Sequence, residues 1–143
     1  MAPLLRAAGA LISVKDLGRS TTFYRDVLGF EVQTRDDDVV VLGDENLQFL
    51  TLRRAPAGAL PRGPDTLGLR ALFWEVASRA ELDRVDAQLR AHMAFTSRST
   101  RPDGGETLTG LDPDHIALAF ADEVPGKPFG PSGVPSAFYS VDV

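Results

Sequence analysis

Apolar positions along the chain recur with two alternating periods. Leu11 to Val14 is a short, largely apolar stretch with strand character. Asp16 follows, placed to cap a helix through its carboxylate. Leu17, Phe23, Tyr24, Val27 and Leu28 supply that helix with an apolar face, and Gly29 ends it. Strands are then predicted over 30–34, 39–42 and 47–52. The turns between them carry Asp36, Asp37 and Asp38, and then Gly43-Asp44-Glu45-Asn46. The first sixty or so residues therefore read β-α-β-β-β.

Residues 55–68 hold Pro56, Gly58, Pro61, Gly63, Pro64 and Gly68, a linker or long crossing loop. Beyond it the pattern restarts. Leu69 to Val76 reads as a strand. Ser78, with Glu81 three residues later, reads as a capping box, and Leu82, Val85 and Leu89 recur at helical spacing. Strands are predicted over 94–97, 106–110 and 115–120, with the turn Pro102-Asp103-Gly104-Gly105 between the first two. The second half repeats the order of the first, and the caps Asp16 and Ser78 mark equivalent points. The expected fold class is α+β: two βαβββ modules whose curved mixed sheet surrounds a ligand cleft, each module with one helix on its back. The whole chain, 1–143, is expected to form a single domain: module one over about 5–54, module two over about 69–122, and a tail from 123 onward. The tail's Pro125, Pro128, Pro131 and Pro135 exclude continuous helix. Its Phe129, Phe138 and Tyr139 suggest packing on the domain or on a second subunit, and a partly disordered tail is the alternative.

Composition narrows the function. The chain has 143 residues, 43% hydrophobic and 24% charged, as an ordinary globular domain does. Its net charge is −5, so a nucleic-acid partner is not expected. An acidic cleft would favour a cationic ligand. There is no cysteine, which removes thiolate catalysis, zinc–thiolate sites and disulfides and fits a cytoplasmic protein. No apolar run approaches membrane-spanning length. The mildly apolar start, MAPLLRAAGALISV, runs directly into a strand pattern and a helix cap, so it reads as part of the fold.

Two stretches resemble a known family. Val14-Lys15-Asp16-Leu17-Gly18-Arg19-Ser20-Thr21-Thr22-Phe23-Tyr24-Arg25-Asp26-Val27-Leu28-Gly29-Phe30 resembles the V-x-D-L-x-x-S-x-x-F-Y-x-x-x-L-G-F signature that opens vicinal-oxygen-chelate domains, those of glyoxalases, bleomycin-resistance proteins and extradiol dioxygenases. Leu111-Asp112-Pro113-Asp114-His115-Ile116-Ala117-Leu118 is similar to the closing D-P-D-G turn and strand, with His115 where glycine is usual. These motif residues also have plain structural roles in packing, capping and turning, so they speak for the fold more than for chemistry.

The resemblance implies where a divalent metal would be held in metal-dependent members, by two His and a Glu on inward strand positions. Those positions fall on Gly9, Ala71 and Ala119 here, none of which carries a donor. Residues 47–52, a further source of ligands in some relatives, offer only Gln48. No metal and no other cofactor is therefore expected. His92 falls at a helix end, where a capping or solvated role is the default.

Strand alternation then fills the cleft. Leu11 and Ser13 share the face of Gly9. Phe73 and Glu75 share that of Ala71, while Leu72, Trp74 and Val76 face the helix layer, which makes Trp74 a core residue. Ala117 shares the face of Ala119. Gln48 or Phe49 adds to the cleft from the middle strands, and Phe73 is the candidate for stacking on a planar ligand. The candidate acid–base pair is Glu75 and His115. Set against this are a solvated Glu75 at a strand end and a His115 bonded to the Asp112 or Asp114 carboxylate.

The leading expectation is a metal-independent protein that binds a bulky, partly apolar or aromatic small molecule, with antibiotic sequestration as one form of it. The alternative is a metal-independent isomerase, cyclase or dehydratase of a natural-product pathway. A metalloenzyme using His115 with Asp112, Asp114 or Glu75 ranks third. The resemblance also implies a homodimer.

Overall fold

The computed structural model describes residues 5, 7–45, 48–61 and 66–126. Its elements run β1 (Gly9–Val14), α1 (Leu17–Leu28), β2 (Glu31–Arg35), β3 (Val39–Gly43), β4 (Phe49–Arg54), β5 (Ala71–Val76), α2 (Arg79–Ala91), β6 (Phe95–Thr100), β7 (Glu106–Leu111) and β8 (Ala117–Asp122). Each half is a βαβββ module with its own four-stranded mixed sheet. The strand orders are β1-β4-β3-β2 and β5-β8-β7-β6. In each sheet the first strand pairs parallel with the last of its module, and the other neighbours are antiparallel. The chain divides into two compact units between Ala59 and Leu60, inside the Pro/Gly-rich stretch. Residues 127–143, on which most of the tail expectation rests, lie outside the described residues.

Each helix starts and stops for local reasons. Asp16 accepts the Arg19 N–H at 3.0 Å, and Ser78 accepts that of Glu81 at 3.1 Å. The Glu81 carboxylate accepts from Arg84 Nε at 2.8 Å. Gly29 closes α1 at φ 73°, donating to the Arg25 carbonyl. The end of α2 has the same left-handed turn, but Met93 holds it at φ 55°. Met93 and Ala94 donate back to the carbonyls of Arg90 and Leu89.

One face of each sheet is covered by its helix. In module one, Leu17, Phe23, Tyr24 and Val27 pack with Val40, Leu42, Leu50 and Leu52, all buried, and Ile12 and Val14 are buried in the same phase of β1. In module two, Leu82, Val85 and Leu89 pack with Leu108, Leu118 and Phe120. Each such side chain contributes roughly 1.5–3 kcal/mol by leaving water. Gly110 lies under α2 where a Cβ would meet the Ala94 carbonyl and the Leu89 methyls, so the helix can approach the sheet only over glycine.

Several predicted strands are displaced. The fourth runs 49–54 rather than 47–52, because Asp44 and Gln48 close the preceding turn. Asp44 N–H donates to the Gln48 carbonyl at 3.2 Å, and Gln48 N–H to the Asp44 carboxylate at 3.1 Å. The last runs 117–122 rather than 115–120. The buried Asp112 carboxylate accepts from both Asp114 N–H and Ile116 N–H at 2.8 Å, which keeps 115 and 116 in the turn. The first strand of module two starts at Ala71 rather than Leu69, and β6 extends to Thr100 rather than ending at 97.

Charge fastens α2 to its sheet. Arg98 bonds Asp83, Asp86 and Glu106 at 2.6–2.8 Å. Asp122 is buried at the end of β8. It accepts from Arg79 Nε at 2.7 Å and Glu106 N–H at 2.6 Å and faces the buried Arg101 at 3.4 Å. Burial works against ionisation of Asp86 and Asp122, but these partners more than offset it and hold both carboxyls below the 3.8 of a free aspartate. The folded state then binds fewer protons than the unfolded chain near that pH. Stability is therefore full above about pH 5 and is lost as pH falls through the depressed values. Asp122→Asn removes one partner of a buried pair and should cost about 3 kcal/mol in a urea titration at pH 7, with less loss on acidification than in the parent. An unchanged midpoint would remove this cluster from the account of stability.

Candidate functional site

The face of each sheet away from its helix carries the side chains of opposite phase. In module one the register sets three rows across β1, β4 and β3: Gly9 with Phe49 and Gly43, Leu11 with Thr51 and Val41, Ser13 with Arg53 and Val39. This face is apolar and open. Leu11 is 64% exposed and Phe49 43%, well beyond what a core role would leave. In module two, Ala71 pairs with Ala117, Phe73 with Ala119 and Glu75 with Ala121. Thr109 and Thr107 follow on β7, with Ser97 and Ser99 on β6. Phe73 and Glu75 are exposed, whereas Ala119, Ala121, Thr107 and Thr109 are buried. The Ser97 and Thr109 hydroxyls share a hydrogen bond of 2.7 Å. The result is a small-residue floor with one aromatic ring and one carboxylate at its side.

The sequence-predicted site residues thus fall into two sets. Leu11, Ser13 and Phe49 share the open face of module one. Phe73, Glu75 and Ala117 share that of module two, and Leu72, Trp74 and Val76 take the opposite phase, where Val76 is buried and Leu72 and Trp74 are half-buried. Two residues lie elsewhere than strand alternation put them. Gln48 precedes β4 and is out of phase with Phe49. His115 is not in β8, so alternation does not fix its direction. It is exposed in the turn, with its N–H donating to the Asp112 carbonyl at 3.0 Å. Its φ of 68° explains why glycine is usual there: a Cβ at that conformation crowds the backbone.

One residue of the open face went unread in the sequence. Arg53 is in phase with Phe49 and Thr51, and its Nη2 donates to Ser13 Oγ at 3.1 Å. Ending the fourth strand at Leu52 removed it from view. The alternation of β4 carried two residues further would have found it.

The positions that the resemblance assigns to a metal carry residues that do not fit one. Ala71 and Ala119 offer methyl groups. At Gly9 the space itself is taken: a Cβ would collide with the Phe49 carbonyl oxygen and lie 2.7 Å from two of its ring carbons. An aromatic ring stands where an imidazole would have to extend. Among the described residues no three His, Asp or Glu side chains converge as metal ligands.

Comparison with known proteins agrees with this architecture. Residues 10–43 match the family described as bleomycin resistance protein-like N-terminal. The glyoxylase/bleomycin resistance protein/dioxygenase domain from Frankia sp. superposes with a TM-score of 0.74 at 24% identity, over 85% of this chain and 100% of that one. A glyoxalase/dioxygenase from Nostoc punctiforme gives 0.70 at 18%, over 87% and 96%. A glyoxalase/bleomycin resistance protein from Catenulispora acidiphila gives 0.60 at 24%, over 81% and 96%. No curated protein is detectably similar in sequence. The fold is that of the vicinal-oxygen-chelate superfamily. The bleomycin-resistance-like match lies within the first module.

Two substitutions probe this geometry. Gly9→Ala should destabilise by about 1–3 kcal/mol, because the clash is with backbone as well as with the ring; an unchanged melting temperature would mean Phe49 does not cover Gly9. His115→Gly should raise stability by about 1 kcal/mol through relief of the left-handed conformation. A loss of stability there would show that the imidazole makes a stabilising contact.

Proposed function

We propose that this protein binds a bulky, partly aromatic small molecule on the open faces of its sheets, without a metal, and holds it unchanged. The observation that carries the reading is the exchange at Gly9, where the Phe49 ring fills the space a metal-ligating side chain would need. Exposed Leu11, Phe49 and Phe73 supply apolar and aromatic surface of the kind that planar ligands stack on. The bleomycin-resistance-like match over residues 10–43 favours sequestration of an antibiotic as the form this binding takes. In this reading the two modules act as one domain, in a cytoplasmic homodimer. Among the described residues no helix is long and apolar enough to cross a membrane.

A second reading, a metal-independent isomerase, cyclase or dehydratase, draws on one observation. His115 keeps a side chain, exposed to solvent, at a backbone conformation that favours glycine. Glu75, exposed on the open face of module two, is in register with Ala121 at the other end of β8 from His115, so the two would act at separate points of a substrate and not on one group.

A thermal-shift screen against aromatic natural products, with and without EDTA, tests the proposal. At about a hundred times Kd a ligand should add roughly 2.7 kcal/mol, a rise of about 5–10 °C, insensitive to EDTA. Phe49→Ala and Phe73→Ala should each reduce the rise, and mass spectrometry should recover the compound unaltered. A rise given by divalent metals alone would overturn the proposal. Conversion of the compound, lost in Glu75→Gln or His115→Ala while binding persists, would establish the enzymatic reading instead.

A further inference from the structure

The open face of module one is polarised along its strands. The Gly9–Phe49–Gly43 row carries an aromatic ring, the Leu11–Thr51–Val41 row is mostly aliphatic, and the Ser13–Arg53–Val39 row carries a cation at its centre. Glu31 pairs with Gly43, so the acidic residue in register with this face belongs to the Phe49 end, away from Arg53. Arg53 is exposed. Among the described residues its guanidinium bonds Ser13 Oγ at 3.1 Å and no carboxylate. Its neighbour Arg54, of opposite phase, is paired with Asp38 at 3.5 Å. Arg79, Arg84, Arg90, Arg98 and Arg101 each have a carboxylate within 4 Å. The Asp36 carboxylate, in the turn before Val39, accepts the Asp38 and Val39 N–H groups at 2.8 Å each. In a chain of net charge −5, Arg53 thus lies beside an exposed apolar face, bonded to a serine and, among the described residues, to no carboxylate.

We propose that Arg53 and Ser13 form an anion subsite that takes the carboxylate of a planar aromatic ligand lying over Leu11 and Phe49. This rests on the binding reading above and narrows its ligand class to aromatic acids. The Ser13 hydroxyl accepts from one guanidinium nitrogen, which fixes the fork and leaves its other N–H groups for a carboxylate. Phe49 and Arg53 are four residues apart on one strand, about 13 Å. That span suits a ligand of two or three fused rings with the acid at one end.

The test compares 2-anthracenecarboxylate with its neutral analogue 2-anthracenecarboxamide by fluorescence titration of the full chain in EDTA. The carboxylate should bind roughly tenfold more tightly, the difference between a charge-assisted and a neutral hydrogen bond. Arg53→Gln should bring the carboxylate down to the affinity of the amide and leave the amide unchanged, while Arg53→Lys should keep part of the preference. The melting temperatures of both variants should match the parent, because Arg53 is exposed. Equal affinity for the two probes in the parent, or a preference that survives Arg53→Gln, overturns the subsite and leaves the binding reading standing. Failure of both probes to bind also overturns it, and the thermal-shift screen then decides the binding reading separately.

Discussion

The structure depends on one constraint: a single helix covers only one face of a four-stranded sheet. Each module sends alternate residues of its strands into contact with α1 or α2, and these are the large aliphatic and aromatic side chains of the core. The residues between them must go to the other face, whatever their chemistry. Leu11, Phe49 and Phe73 are therefore exposed because Ile12, Leu50 and Trp74 take the helix-facing phase. The surface proposed to bind the ligand is the second output of the pattern that makes the core.

A metal site needs donor side chains at inward strand positions. The positions that the resemblance assigns to such donors hold Gly9, Ala71 and Ala119, and the neighbouring strand puts Phe49 over the glycine. In the proposed reading the Phe49 ring fills the space over Gly9, and the surface is one suited to stacking. The strongest ionic interactions lie apart from it: Arg98 and Asp122 bind the helix layer and the end of β8, where they secure the frame.

Both modules and both helices were legible in the sequence because caps and periodicity agreed there. Asp16, Gly29 and Ser78 each do what their residue types suggest. Strand ends were less legible, since side-chain hydrogen bonds in the turns decide them. Asp44 closes its turn back from Gln48, and Asp112 holds Ile116 out of β8. Those two local bonds set the starts of β4 and β8 and leave Gln48 and His115 outside the strands, while the end of β4, where Arg54 and Ala55 N–H groups bond the Asp38 and Val14 carbonyls, brings Arg53 into the strand. A shift of two residues at a strand end leaves the fold unchanged but alters which side chains a site contains.

The central claim is that the sheet faces opposite the helices are the ligand-binding surface and that no metal takes part. Mapping amide chemical-shift changes by NMR, with a bound aromatic compound in EDTA, tests it most directly. The account predicts perturbations at 9–13, 49–53 and 71–75, with α1 and α2 little changed. Perturbations confined to the helices, or binding that appears only when a divalent metal is added, would contradict it.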